Sequence, residues 1–155
     1  MVAQMDELDL RNPEVNTQES VSQHNPEGAN LIDNFRVTSV NHMTNLKTLR
    51  VAGYCGVDQE GLANLTGLTE LDISYNPKVT DLTAFTQLTK LKAAGTCTIR
   101  SVPPSVTDLD LSYNKTLTID NLPNLKRLIA RGDCNVTPTN VPSLEYLDVS
   151  DNPNF

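Results

Sequence analysis

The chain contains no tryptophan, and phenylalanine and tyrosine together supply only 5% of its residues. A core organised around large rings is therefore excluded, and aliphatic side chains have to fill the interior. Histidine occurs only at His24 and His42, which leaves little for general base catalysis or for a histidine-rich metal centre. No apolar run approaches the ~18 residues that would span a bilayer as a helix, so membrane insertion is not expected. Basic residues are also scarce: 12 Lys and Arg stand against 19 Asp and Glu, for a net charge of -7. Such a chain lacks the phosphate-neutralising excess of a sequence-independent nucleic-acid binder and suits anionic lipid poorly. GxSxG, Walker, HExxH and CxxC signatures are all missing, and the expectation is a protein that is not an enzyme and needs no cofactor or metal.

What the sequence does hold is repetition. Leu68–Val79, LTELDISYNPKV, places apolar residues at positions 1, 4, 6 and 12 and an asparagine at position 9. The 4-to-6 spacing is that of a short strand with one face in and one face out, and Asn-Pro marks the chain turning away. Copies begin at Leu46, Leu88, Val106, Leu125 and Leu144, and PEGANLIDNFRV from Pro26 fits the same frame. So short a strand cannot bury its apolar face alone; stacked copies can.

The pattern LxxLxLxxN, with a hydrophobic residue three further on, resembles the leucine-rich repeat family from about residue 26 onward. The resemblance implies a leucine-rich repeat solenoid of the α/β horseshoe class, β-dominated, with a parallel sheet on the concave side. Position 4 recurs at residues 29, 49, 71, 91, 109, 128 and 147, so the periods are 18 to 22 residues. Little chain remains to return across the back, too little for full helices. The convex side should therefore be 3₁₀ turns and extended segments, in keeping with Pro103, Pro104, Pro123, Pro138 and Pro142. The longest period leaves room at Asp58–Leu65 for a turn or two of helix behind an Asp cap. These short periods are similar to those of bacterial internalins and of secreted effector proteins.

Two repeat types alternate. Asn34, Asn76, Asn114 and Asn152 hold position 9 in every second copy, and the copies between carry a Gly at position 8 and Cys55, Cys97 or Cys134 at position 10. Adjacent parallel strands lie ~4.8 Å apart, so cysteines two copies apart are separated by roughly 9 to 10 Å. That is beyond disulfide reach, and a shared zinc is equally excluded. Three free, buried thiols follow. In the family the resemblance names, the asparagines form a ladder bonded to the backbone of neighbouring turns.

Positions 3, 5 and 7 point out of the strands on the side where leucine-rich repeat proteins usually bind. They place Arg50; Glu70 and Asp72; Lys90 and Lys92; Asp108 and Asp110; Arg127, Ile129 and Arg131; Tyr146 and Asp148 along one surface, with acidic and basic copies alternating. One reading is structural, with opposite charges on neighbouring strands holding the stack in register. The other is a binding surface for a protein partner, with Arg127, Ile129 and Tyr146 as anchors. A non-catalytic protein–protein interaction module is the expected function. The alternative is the substrate-recognition part of a larger enzyme, such as an effector ubiquitin ligase. Arg131-Gly132-Asp133 spells an integrin-binding tripeptide, but its glycine belongs to the repeat, as Gly53 and Gly95 show. The three aspartates Asp72, Asp110 and Asp148 lie on alternate strands, too far apart to share calcium.

Residues 1–25 are expected to be a degenerate repeat, a cap or a flexible tail, and residues 26–155 a domain of about seven repeats. The last copy, ending at Phe155, lacks a polar cap. Leu144, Leu147, Val149 and Phe155 should be exposed there, which allows end-to-end self-association. MVAQMDELDLRNPEV has neither the basic start nor the apolar stretch of a secretory signal. This favours the cytoplasm and leaves a secreted effector or surface protein open.

Overall fold

The computed structural model describes residues 7–95, 97–115, 117, 119, 121–134 and 141–153. Pro138 in the back segments, Phe155 at the end of the last repeat and residues 1–6 lie outside the described residues. Eight short strands form one sheet in chain order, and every neighbouring pair is parallel. They are β1 (Glu7–Asp9), β2 (Gly28–Asn30), β3 (Thr48–Arg50), β4 (Glu70–Asp72), β5 (Lys90–Lys92), β6 (Asp108–Asp110), β7 (Arg127–Ile129) and β8 (Tyr146–Asp148). Because each strand pairs only with its neighbours in sequence, the chain is a β-solenoid in which each turn rests on the one before.

Register is set by position 4. Leu8, Ala29, Leu49, Leu71, Leu91, Leu109, Leu128 and Leu147 are Cα partners from strand to strand. A slip of one residue would turn this apolar column to solvent. With residues such as Leu46, Val51 and Val57, or Leu68, Ile73 and Val79, from positions 1, 6 and 12, the column from Ala29 to Leu128 forms one continuous core, with Leu8 packed against it. Each of these side chains stabilises the fold by ~1.5–3 kcal/mol when fully buried. A three-residue strand has no stability by itself, so the energy lies between turns of the solenoid.

After each strand from β2 to β8 the backbone enters the left-handed region at position 8. Asp33, Gly53, Tyr75, Gly95, Tyr113, Gly132 and Asp151 all have φ between 59° and 70°. This explains the two-copy alternation. The ring of Tyr75 occupies the space that a Cβ on Gly95 would need, and Tyr113 covers Gly132 in the same way. A bulky residue in this conformation is uncommon and strained. Here its ring packs on the bare backbone of the next turn, so every second copy must be glycine.

Under these turns runs a ladder of buried polar side chains. The Nδ2 of Asn76 donates to the carbonyl of Val51, at position 6 of the preceding turn (2.7 Å), and Asn114 and Asn152 do the same to Ala93 (2.9 Å) and Ala130 (3.0 Å). Asn34 reaches Leu10 O (2.6 Å). The three cysteines are buried thiols outside any disulfide, and one of them takes up the same task. Cys97 Sγ donates to Ile73 O, again position 6 of the preceding turn, at 3.1 Å. At Cys97 the ladder thus continues with a weaker donor.

Among the described residues, two four-residue helices, α1 (Gln18–Val21) and α2 (Gln59–Leu62), lie on the return path. Asp58 caps α2 as its position implied, its side chain accepting from the Gly61 N–H at 2.9 Å. Elsewhere single turns recur, each closed by an N–H bonded to the carbonyl three residues back, as in Met43 to Val40, Phe85 to Leu82 and Leu125 to Leu122. Both members of these pairs are buried.

Candidate functional site

In a strand, residues on either side of an inward leucine point to the opposite face. The parallel register therefore turns positions 3 and 5 into two continuous columns on the polar face of the sheet. One runs Glu7, Gly28, Thr48, Glu70, Lys90, Asp108, Arg127, Tyr146, and the other Asp9, Asn30, Arg50, Asp72, Lys92, Asp110, Ile129, Asp148. Eleven of the twelve residues singled out in the sequence lie in these columns. The twelfth, Arg131, stands beside them at position 7. Position 7 is not uniformly open, however. Ala52 and Ser112 are buried, and the hydroxyls of Ser74 and Ser112 accept the N–H groups of Ala94 and Arg131 on the next turn (both 3.1 Å).

The charges combine less regularly than their alternation implies. Lys90 pairs with Glu70 on the neighbouring strand, at a long 3.6 Å. Arg131 meets Asp148 with two nitrogens, Nε at 2.7 Å and Nη2 at 2.6 Å. Ser150 and Arg131 together hold the Asp148 carboxyl well below the usual carboxylate range. Arg50, by contrast, does not pair with Asp72 on β4 but reaches the other way, across β2, to Glu7 at 2.9 Å. Gly28 leaves the strand between them without a side chain in that column. Among the described residues, Asp72, Lys92, Asp108 and Asp110 have no ion pair within 4.0 Å. Neighbouring opposite charges therefore tie only part of the stack.

Two shallow depressions follow the columns. The first is lined by Glu7, Arg50, Glu70, Asp72, Lys90 and Lys92 with Thr48. The second is lined by Lys90, Lys92, Asp108, Asp110, Arg127 and Ile129. Both have leucines of position 4 as their floor, and Lys90 and Lys92 form the wall between them. At the far end the Arg127 guanidinium lies 4.2 Å from the centre of the Tyr146 ring, a cation–π contact that orients both groups.

Glu7 was missed as a surface residue. Its only signal was Leu8 in a segment, MDELDLRNPEV, that falls short of the repeat, and only the pairing of β1 with β2 places it in the column. The Arg-Gly-Asp tripeptide is held within the fold. Gly132 is the left-handed turn residue, Arg131 is bound to Asp148, and Asp133 pairs with Lys115 at 3.0 Å. Among the described residues no cluster of His, Cys, Asp and Glu could hold a metal ion, and no helix is long and apolar enough to cross a membrane.

No family profile matches the sequence, and no curated protein does so. Among solved structures, an internalin (InlF) from Listeria monocytogenes is similar, with a TM-score of 0.58 and 23% identity over 80% of this chain. The likeness covers 41% of the internalin chain, so this sequence spans about two-fifths of that protein. At this level of identity the shared property is the solenoid fold.

Proposed function

We propose that this chain is a leucine-rich repeat module, without catalytic activity of its own, that binds a protein partner on its concave, strand-lined face. The repeat pattern and the solenoid fold shared with an internalin support the reading. The observation that carries it is the group of charges at the centre of the polar face. Asp72, Lys92, Asp108 and Asp110 are presented on paired strands, yet among the described residues none is neutralised by an ion pair within 4.0 Å. Charges used only to hold the stack would be matched inside it. Charges held in fixed columns without an ion-pair partner suit a partner with the complementary pattern, and such matching governs specificity and association rate. Arg127, Ile129 and Tyr146 add the aromatic and guanidinium groups that dominate interface energetics. A shallow, charged surface offers no enclosed apolar cavity for a small ligand.

The test is affinity capture with mass spectrometry. It compares the parent chain with one variant carrying Arg127→Ala, Ile129→Ala, Arg131→Ala and Tyr146→Ala, and another carrying Lys92→Glu, each first shown to fold by circular dichroism. A protein captured by the parent and lost by both variants is the expected result. Capture that survives both changes places binding elsewhere on the molecule.

A further inference from the structure

In the turns that close the strands, the solenoid keeps the spacing of the sheet. The position-8 N–H groups of Asp33, Gly53, Tyr75, Gly95, Tyr113 and Gly132 each donate to the position-7 carbonyl of the following turn, at 2.8 to 3.2 Å. Position-8 residues two turns apart are therefore separated by about 9.4 to 9.8 Å. Taken at every second turn, this edge reads Asp33, Tyr75, Tyr113, Asp151. A Cβ on Gly95 would fall on Cδ1, Cε1 and Cζ of Tyr75, and one on Gly132 on the same three atoms of Tyr113. Each ring thus lies with one face against the glycine of the next turn. Tyr75 is 51% and Tyr113 54% exposed, so the opposite faces are open to water. Asp33 is also exposed, lies over Gly53 and accepts the Tyr54 N–H at 2.8 Å. Among the described residues its carboxylate has no ion pair within 4.0 Å. Phe35 and Tyr54, in the same series of turns, are exposed as well. Four exposed aromatic side chains gathered along one edge mark an interaction surface.

We propose that this edge docks a proline-rich peptide in the polyproline II conformation, with basic residues flanking its prolines. Two features select this occupant. The first is the period. A polyproline II helix has three residues per turn and repeats every ~9.3 Å, so every third proline faces the same way. Such prolines fall on Tyr75 and Tyr113 in succession, each packing its ring on the open aromatic face, and the preformed helix has little conformational freedom left to lose. The second is the charge. Asp33 stands two turns before Tyr75 and Asp151 two turns after Tyr113, so a basic residue three positions beyond the prolines at either end meets a carboxylate. Opposite charges placed this way favour encounter and fix the peptide's register on the rings. A neutral polysaccharide would stack on the same rings but leave both carboxylates unmatched. The site lies along the turns and uses none of the position 3 and 5 side chains of the polar face.

Fluorescence anisotropy with a labelled peptide of eight consecutive prolines, carrying an arginine at each end, tests this. The proteins compared are the parent, a variant with Tyr75→Asn and Tyr113→Asn, and Asp33→Asn. Asparagine tolerates the left-handed backbone at these positions, so the turns are kept. The expected result is binding to the parent that weakens at least about tenfold in the double tyrosine variant. Asp33→Asn should weaken it by about threefold at low ionic strength and by less in high salt. A peptide with the same arginines but glycine and serine in place of the prolines should not bind. A parent that fails to bind the proline peptide at millimolar concentration overturns the proposal, as does equal binding of the glycine–serine peptide or undiminished binding by the double variant. A parent that binds cellohexaose and not the peptide overturns it too, in favour of a glycan. If the double variant fails to fold, the ring resonances of the four tyrosines in the parent provide the second measurement. Shifts at Tyr75 and Tyr113 on adding the proline peptide support the site, and their absence at both refutes it.

Discussion

Asn76 is fully buried, and its amide bonds the carbonyls of Val51 (2.7 Å) and Val57 (3.1 Å) while its oxygen accepts the N–H of Lys78 (3.0 Å). Asn76→Ala leaves buried backbone groups without partners, at ~1–3 kcal/mol for each one stranded. The expected loss is about 2–4 kcal/mol in urea unfolding, whereas an exposed asparagine such as Asn64 changed to Ala shifts stability by no more than ~0.5 kcal/mol. The thiols behave as residues of the core. Burial pushes both Cys55 and Cys97 up to about 11 from an ordinary value of 9.0. Their contribution is therefore fully present below pH 9, where the unfolded thiols are still protonated. It is lost as pH rises from 9 towards 11, because the unfolded chain ionises first. Stability should fall over that window by on the order of 2 kcal/mol per thiol, and a variant with Cys55→Ala and Cys97→Ala should show a flatter profile. At pH 8 the native protein should react with a thiol reagent only as fast as it opens.

At the scale of the repeat, the left-handed turns decide which copy can follow which. Gly95→Ala adds a methyl group where the Tyr75 ring lies and also places a side chain at φ 70°. The backbone part costs ~1–2 kcal/mol, and the ring adds to it. In a double-mutant cycle, Gly95→Ala should destabilise the parent by more than it destabilises a Tyr75→Ala background, and the difference measures the ring's share. Equal losses in both backgrounds would mean that the ring swings aside freely. The alternation of Asn-type and Cys-type copies was plain in the sequence, but its cause was not. A glycine and a tyrosine some twenty residues apart become neighbours only when the turns stack.

For the whole molecule, stability follows from contacts between successive turns, so it should fall towards an open end. In dilute solution the amides of β8 should exchange with deuterium at least tenfold faster than those of β4 to β6, a difference of ~1.4 kcal/mol in opening free energy. Uniform protection across all eight strands at low concentration would show a fully cooperative unit instead.

Sequence alone determined the repeat frame, the parallel solenoid it folds into, the buried leucine column and the face on which the twelve surface residues stand. All of these follow from the period of apolar residues, which is a local property of the chain. Tertiary structure decided what those side chains do to one another. Alternating charge in the sequence implies neighbour-to-neighbour pairing, yet Arg50 leaves Asp72 on one side and reaches across β2 on the other to Glu7, over the gap at Gly28. Lys92 and Asp110 face each other across paired strands without an ion pair within 4.0 Å. Side-chain reach, the room left by small neighbours and competing bonds to the strand's own turn, as where Asp110 accepts from the Ser112 N–H, settle those pairings. None of them is written in the spacing of residues along the chain.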